Sequence, residues 1–113
     1  MDTAEITRIA VAALEDIKGK DITVIDVRHL TSLFDTMIVA SGDSTRQVKA
    51  LADHVREKLK EAGADILGTE GEQASEWVLV DAISVIIHVM HPTARQHYNL
   101  EELWGAAQHR RVA

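Results

Sequence analysis

Three histidines near the C-terminus are the residues whose type and spacing most readily suggest chemistry, because imidazole is a common zinc ligand. His88 and His91 lie three positions apart at the end of a predicted strand, and His97 follows in a predicted helix. An odd spacing on a strand sends side chains to opposite faces of the sheet. The sequence has no cysteine to complete a ligand set. We therefore expect no metal site and interpret the histidines as incidental.

A second chemical possibility is the Gly-Asp-Ser junction at residues 42–44, between a predicted strand and a predicted helix. It does not complete the G-x-S-x-G pattern of a nucleophile turn, and no base is identified for it. A phosphate could also bind at this helix N-terminus, but nucleotide enzymes need paired carboxylates to hold Mg²⁺. Asp26, Asp35, Asp53 and Asp81 are scattered single acids. A helix cap explains the junction more simply, and a metal-dependent nucleotide enzyme is the alternative from another class.

Periodicity along the chain predicts the elements that would position such groups. Apolar side chains recur at helical spacing over residues 6–17, with Asp2 or its neighbour available as the N-cap. The β-branched runs at residues 22–27 and 36–40 indicate strands. The segment between them, residues 28–35, is too apolar for a freely solvated loop, so part of it should pack on the core.

A second helix is predicted from a capping box to a glycine. Ser44 and Gln47 can satisfy free N–H groups at its start, and Gly63 is a suitable residue for its end. Three further strands follow in quick succession, at residues 66–70, 76–81 and 84–90. Short connections favour an antiparallel meander for these three. The preceding helix should join residues 36–40 and 66–70 as a right-handed parallel crossover.

The predicted fold is therefore α/β, with a mixed five-stranded sheet flanked by helices. Pro92 places a turn after the last strand, and the segment with Tyr98 and Trp104 is expected to form one or two short helices. A chain of 113 residues can bury one ordinary core, so we expect a single domain over residues 1–113.

The fourth strand is the most informative about function. Period two puts Trp77, Leu79 and Asp81 on one face and leaves Val78 and Val80 on the other. Both faces are apolar near the middle, so either helices cover both or a partner completes one. A tryptophan beside acidic residues favours a partner. The alternative is an ordinary core aromatic whose indole N–H is satisfied internally.

Composition narrows the class of partner and the compartment. Eighteen acidic and twelve basic residues give a net charge of -6, which disfavours direct nucleic-acid binding and favours basic proteins as partners. The absence of cysteine suits a reducing compartment, and the acidic start is unlike a signal or transit peptide. No apolar run reaches the roughly 18 residues of a membrane span. We expect a cytoplasmic protein with no membrane partner.

Three blocks of sequence together resemble the ribosomal silencing factor, or Iojap, family. They are residues 34–42 running into Ser44-Thr45-Arg46-Gln47-Val48; Glu70-Gly71-Glu72 followed by residues 76–81; and His88-Val89-Met90 leading to Arg95, Tyr98, Leu100-Glu101 and Leu103-Trp104. The likeness covers nearly the whole chain in order. One departure is visible: family members usually place Gly-Asp after the strand aspartate, whereas this chain continues with Ala82, Ile83 and Ser84. Alanine and isoleucine tolerate positive φ badly, so we expect an altered turn there.

The resemblance implies a nucleotidyltransferase-like α/β fold without the catalytic acids, and a protein that is not an enzyme and needs no cofactor. It implies docking on a ribosomal protein of the large subunit at the subunit interface, which would block joining of the small subunit. A role in large-subunit assembly is a further expectation. A homodimer that uses the same sheet face is a third hypothesis, and it is compatible with ribosome binding if the two states compete for one surface.

On this basis we predict a partner-binding site with five members: Trp77, Asp81, Arg95, Tyr98 and Glu102. Trp77 and Tyr98 would supply aromatic contact area, and Asp81 a carboxylate for an arginine of a basic ribosomal protein. Structural alternatives stand beside these roles. Asp81 is a common type of turn former, and Arg95 could be the ion-pair partner of a nearby acid.

Overall fold

The computed structural model describes residues 1–104 and 108–112. The helices are α1 (Thr3–Asp16), α2 (Thr45–Glu61), α3 (Pro92–Tyr98) and α4 (Leu100–Leu103). The strands are β1 (Lys20–Asp26), β2 (Thr36–Ser41), β3 (Gly68–Glu70), β4 (Trp77–Asp81), β5 (Val85–Met90) and β6 (Gln108–Arg111). No helix in these ranges combines the length and apolar character needed to cross a membrane. The predicted α/β class and the short C-terminal helices are confirmed.

The sheet has six strands in the order β3-β4-β5-β2-β1-β6, rather than the five that the sequence predicts. The additional strand, β6, pairs antiparallel with β1 at the edge of the sheet. Its sequence, Gln-His-Arg-Arg, carries no apolar alternation. An edge strand with one neighbouring strand does not need apolar alternation, so the hydrophobic pattern of the sequence does not reveal β6. Val112, just beyond it, packs on the core.

The parallel pairing in the sheet also differs from the prediction. β2 pairs in parallel with β5, and the strand after α2 lies at the far edge. The predicted antiparallel meander of β3, β4 and β5 is confirmed. Burial explains the arrangement: every residue of β5 is buried, whereas β3 spans three largely exposed residues. The fully buried strand takes the central position and the short, exposed one takes the edge.

The helix ends follow the predicted caps with one change. The Asp2 carboxylate accepts a hydrogen bond from the Glu5 N–H at 2.8 Å. The Ser44 hydroxyl accepts from the Gln47 N–H at 3.1 Å, but Gln47 Oε1 accepts from the Asp43 N–H at 2.6 Å. The reciprocal bond of the capping box is therefore made one residue earlier than predicted, and it still satisfies a free N–H group.

The two faces of the sheet are covered unequally. α1 and α2 pack on one, here called the covered face, over a large core that includes Leu14, Leu51 and Ile87. The other, here called the open face, carries a small core formed by Ile25, Val27, Met37, Val39, Met90 and Leu100. The short helices and the partly buried Phe34 and Trp104 contribute to this small core, but over β3 and β4 a groove stays open.

The segment at residues 28–35 packs on the core only in part. The Phe34 ring meets the Trp104 ring edge to face, with 6.0 Å between centroids. Leu30 and Leu33 stay exposed, and the Leu33 side chain is 81% accessible. The apolar side chains of this segment are therefore divided between the small core and the rim of the open face.

Candidate functional site: the open face of the sheet

Trp77 lies on the open face, as the period-two pattern predicts. Trp77 and Leu79 alternate there with Val78 and Val80, which are fully buried on the covered face. The Trp77 side chain is partly buried against the small core. Its indole Nε1–H donates a hydrogen bond to His88 Nδ1 at 2.8 Å. The polar atom of Trp77 is thus already used within the molecule, and its ring is the part that a partner would meet.

His88 is buried beneath the indole of Trp77, with only 6% of the residue accessible. The β4–β5 register pairs His88 with Leu79, so both side chains lie on the open face. Burial lowers the pKa of His88 from 6.5 to about 4, which keeps the imidazole neutral near neutral pH. Because the indole can only donate, Nδ1 is the acceptor and the proton is on Nε2. His88 therefore offers one N–H donor at the floor of the open face.

Tyr98 completes an aromatic cluster with Trp77. The two ring centroids are 4.8 Å apart, and the Tyr98 side chain is 52% exposed. His97 meets Tyr98 edge to face at 4.9 Å. α3 ends here because Asn99 adopts a left-handed conformation, with φ of 45°. The end of α3 thus holds an amphipathic aromatic ring at the protein surface, where such rings often form contact hot spots.

The groove beside these aromatics is apolar with an acidic rim. It has a volume of about 610 Å³, and Leu79, Ile86 and His88 lie on its β4 and β5 side. The exposed side chains of Leu33, Leu67 and Ile83 line it as well. Glu70 and Asp81 add two carboxylates. A groove of this composition suits an apolar side chain that arrives with a neighbouring positive charge.

Asp81 acts as the turn former at the end of β4. Its Oδ1 accepts a hydrogen bond from the Ile83 N–H at 2.8 Å, and the Ser84 N–H donates to the Ala82 carbonyl at 2.9 Å. The sequence predicts an altered turn because isoleucine tolerates positive φ badly, yet Ile83 adopts a φ of 71° here. Asp81 lies four residues beyond Trp77, about 13 Å along the strand. The two therefore occupy different ends of the open face.

Arg95 is directed inward rather than toward a partner. Its side chain is 12% exposed and its Nε lies 3.0 Å from the Glu101 carboxylate. The same guanidinium donates to the Ser41 hydroxyl at 2.9 Å and to the Thr23 hydroxyl at 3.2 Å. It ties the short helices to β1 and β2. The ion-pair alternative raised by the sequence is the arrangement that the structure shows.

Glu102 is exposed at the start of α4, where its carboxylate accepts a hydrogen bond from Asn99 Nδ2 at 2.6 Å. Of the five predicted site residues, the structure therefore brings Trp77 and Tyr98 into contact. It places Asp81 and Glu102 at other parts of the surface and sequesters Arg95. Their partner-binding roles stay predictions.

Sequence reasoning set His88 aside and did not find the groove. The signal for His88 was available, because an antiparallel hairpin of this register places it opposite Leu79, on the face of Trp77. The groove had no local signal, because it depends on which part of the sheet α3 and α4 leave uncovered. Within residues 1–104 and 108–112, no three His, Asp or Glu side chains are grouped to hold a metal ion.

Comparison with known proteins identifies the family. The family model described as "Ribosomal silencing factor during starvation" matches residues 1–113. This chain belongs to the ribosomal silencing factor family. A ribosomal silencing factor from Chromobacterium violaceum is 61% identical over 105 residues, which are 93% of this chain and 86% of that protein.

Structures and more distant relatives agree with this family. A crystal structure of a Chromobacterium violaceum protein, 61% identical, superposes with a TM-score of 0.91 over 93% of this chain and 88% of the other. A mouse protein named "Mitochondrial assembly of ribosomal large subunit protein 1" is 34% identical over 83% of this chain. The matched region is 42% of the mouse protein. Sequences similar to this chain therefore occur both as short bacterial proteins and as part of a longer mouse protein.

Proposed function

We propose that this protein binds the large ribosomal subunit through a basic ribosomal protein at the subunit interface and thereby blocks joining of the small subunit. The observation that carries the proposal is an open, aromatic and acid-rimmed sheet face in a chain of the ribosomal silencing factor family. The mouse relative, named for ribosomal large subunit assembly, supports the choice of subunit and an additional role in its assembly.

Charge supports a basic protein as the direct contact. The chain carries a net charge of -6, and Glu70 and Asp81 line the groove on the open face. Such a field accelerates encounter with basic proteins and repels an RNA backbone. Tyr98 and the ring of Trp77 supply the apolar contact area at the centre. The protein therefore needs no sequence-specific contact with ribosomal RNA.

Blocking by occupancy needs a stable shape and no covalent chemistry. The covered face, with α1 and α2 over a continuous core, supplies a rigid body behind the open face. The protein would act as a single cytoplasmic domain, with no cofactor and no enzymatic step. A homodimer through the open face, the further hypothesis from the sequence, would compete with the ribosome for the same surface.

Co-sedimentation with purified large subunits tests the proposal. We expect the wild-type protein to sediment with the large subunit, and Trp77→Ala or Tyr98→Ala to weaken binding by about 2 kcal/mol. Tyr98→Ala is the cleaner variant because Tyr98 is half exposed, whereas Trp77 also supports His88. Glu57→Gln, on the exposed side of α2, is the control that should bind normally. Equal sedimentation of both aromatic variants and wild type would remove the aromatic pair from the contact.

A further inference from the structure

The groove extends the open face well beyond the pair of Trp77 and Tyr98. Leu79 and Ile86 lie within it, and it reaches the β4–β5 turn, where Ile83 is 52% exposed. Leu33 and Leu67 also line it with exposed side chains. Single exposed apolar residues are ordinary on protein surfaces, but several around one groove indicate a binding surface.

The turn presents Ile83 to solvent at the expense of backbone strain. Its φ of 71° lies in the left-handed region, where a β-branched side chain clashes with its own backbone. Glycine and asparagine adopt this conformation readily. The isoleucine side chain lies outside both cores, so no core packing offsets the strain. A strained residue with an exposed apolar side chain at the edge of a groove points to a role in binding.

The chemistry of the groove restricts what can occupy it. His88 Nε2–H has no partner among the described residues and is not sealed from solvent. It can donate to a carbonyl of an occupant, whereas an occupant that offers only donors would leave it unsatisfied. The surrounding leucine and isoleucine side chains favour an apolar group. An extended peptide segment, with apolar side chains and main-chain carbonyls, meets both conditions.

The rim indicates the charge of that segment. Glu70 is exposed, and Arg56, which contacts the hydroxyl of the adjacent Thr69, pairs with Asp53 and Glu72 instead. Asp81 adds a second negative charge at the same groove. A second copy of this chain, with net charge -6, would bring these carboxylates toward their own counterparts. A basic segment of another protein is complementary to them.

We infer that Ile83 and the groove form a specificity subsite that receives an aliphatic or aromatic side chain from a basic segment of the bound protein. This inference rests on the proposed function and assigns the segment to the ribosomal protein contacted on the large subunit. Ile83 closes the end of the subsite at the β4–β5 turn. Its substitution should therefore weaken binding without damaging the fold.

Two variants separate binding from folding at this position. Ile83→Gly and Ile83→Asn both suit a positive φ, so the thermal midpoint should equal or exceed that of wild type. Their dissociation constants for purified large subunits should rise about tenfold. Ile83→Val keeps a branched apolar side chain and should bind within about threefold of wild type. Leu30→Ala removes an exposed apolar side chain outside the groove and should leave binding unchanged.

The rim is tested by a matched pair of charge variants. Glu70→Gln should weaken binding by about threefold at low ionic strength and reduce its salt dependence. Glu57→Gln removes the same charge from the exposed side of α2 and should do neither. Equal effects of the two variants would show that only the net charge matters and would overturn the basic-segment assignment.

The outcomes distinguish this inference from the function on which it rests. Wild-type protein that fails to bind large subunits overturns both. Binding that Tyr98→Ala weakens, but that Ile83→Gly and Ile83→Asn leave unchanged, overturns the subsite alone. Ile83 variants that alter only the monomer–dimer equilibrium identify a second copy as the occupant and also overturn it.

Discussion

The two faces of one sheet differ in what their residues are used for. Along β5, Ile87 and Val89 enter the large core of the covered face, while Ile86 and His88 line the groove on the other side. The covered face has two helices of 14 and 17 residues, and the open face has two of 7 and 4. The difference teaches that an unequally covered sheet can separate stability from recognition, because alternate residues of the same strand serve each purpose.

The largest expected effect is a loss of stability from a substitution on the covered face. Leu51→Ala removes a fully buried side chain of α2 and should lower the free energy of unfolding by about 3 to 4 kcal/mol. Leu79→Ala, on the open face, should lower it by less than about 1 kcal/mol. Urea unfolding of the two variants measures the contrast. Similar losses at the two positions would mean that the open face contributes to the core as much as the covered one.

Substitution of Arg95 tests whether its contacts hold α3 and α4 on the open face. Arg95→Met removes the ion pair with Glu101 and the donors to Ser41 and Thr23, so it should destabilise the fold by about 2 to 3 kcal/mol. Adding Glu101→Gln to this variant should restore part of the loss, because no unpaired carboxylate is left. A variant of unchanged stability that loses ribosome binding would instead make Arg95 a contact residue.

The buried imidazole of His88, on the open face, makes the stability of the protein depend on pH. The folded pKa of His88, about 4, lies below its usual 6.5, so the unfolded chain binds the extra proton between these values. The contribution of neutral His88 to the free energy of unfolding is therefore fully present above pH 6.5. It decreases as the pH drops toward 4 and is about 2 kcal/mol smaller at pH 5. His88→Asn retains an acceptor for the Trp77 indole but does not titrate.

Unfolding of wild type and His88→Asn between pH 4 and 7.5 checks this prediction. The difference in their pH slopes isolates the histidine from the other titrating groups. Parallel slopes would show that His88 is as protonated in the folded protein as in the unfolded chain, and that its burial does not hold it neutral.

Local pattern was sufficient for most of the fold. The caps at Asp2 and Ser44 and the alternation around Trp77 follow from neighbouring residues, and the structure confirms them. The pairing of β2 with β5 could not be predicted in this way, because burial across the whole sheet decides which strand is central. β6 was missed because a short, polar edge strand has no periodic signal.

The site was less accessible to sequence reasoning than the fold. A family pattern pointed to Trp77 and Tyr98, which the structure shows in ring contact. The same pattern pointed to Arg95, whose side chain the fold turns inward to Glu101. Residue type alone does not distinguish an arginine that meets a partner from one that ties helices to a sheet. That distinction depends on tertiary contacts between residues far apart in sequence.

A subunit-joining assay tests the central claim most directly. Purified large and small subunits are mixed with saturating protein and resolved on a density gradient. The account predicts that wild-type protein keeps the subunits apart while sedimenting with the large one, and that Tyr98→Ala at the same concentration lets them join. Normal formation of joined ribosomes in the presence of saturating wild-type protein would contradict it.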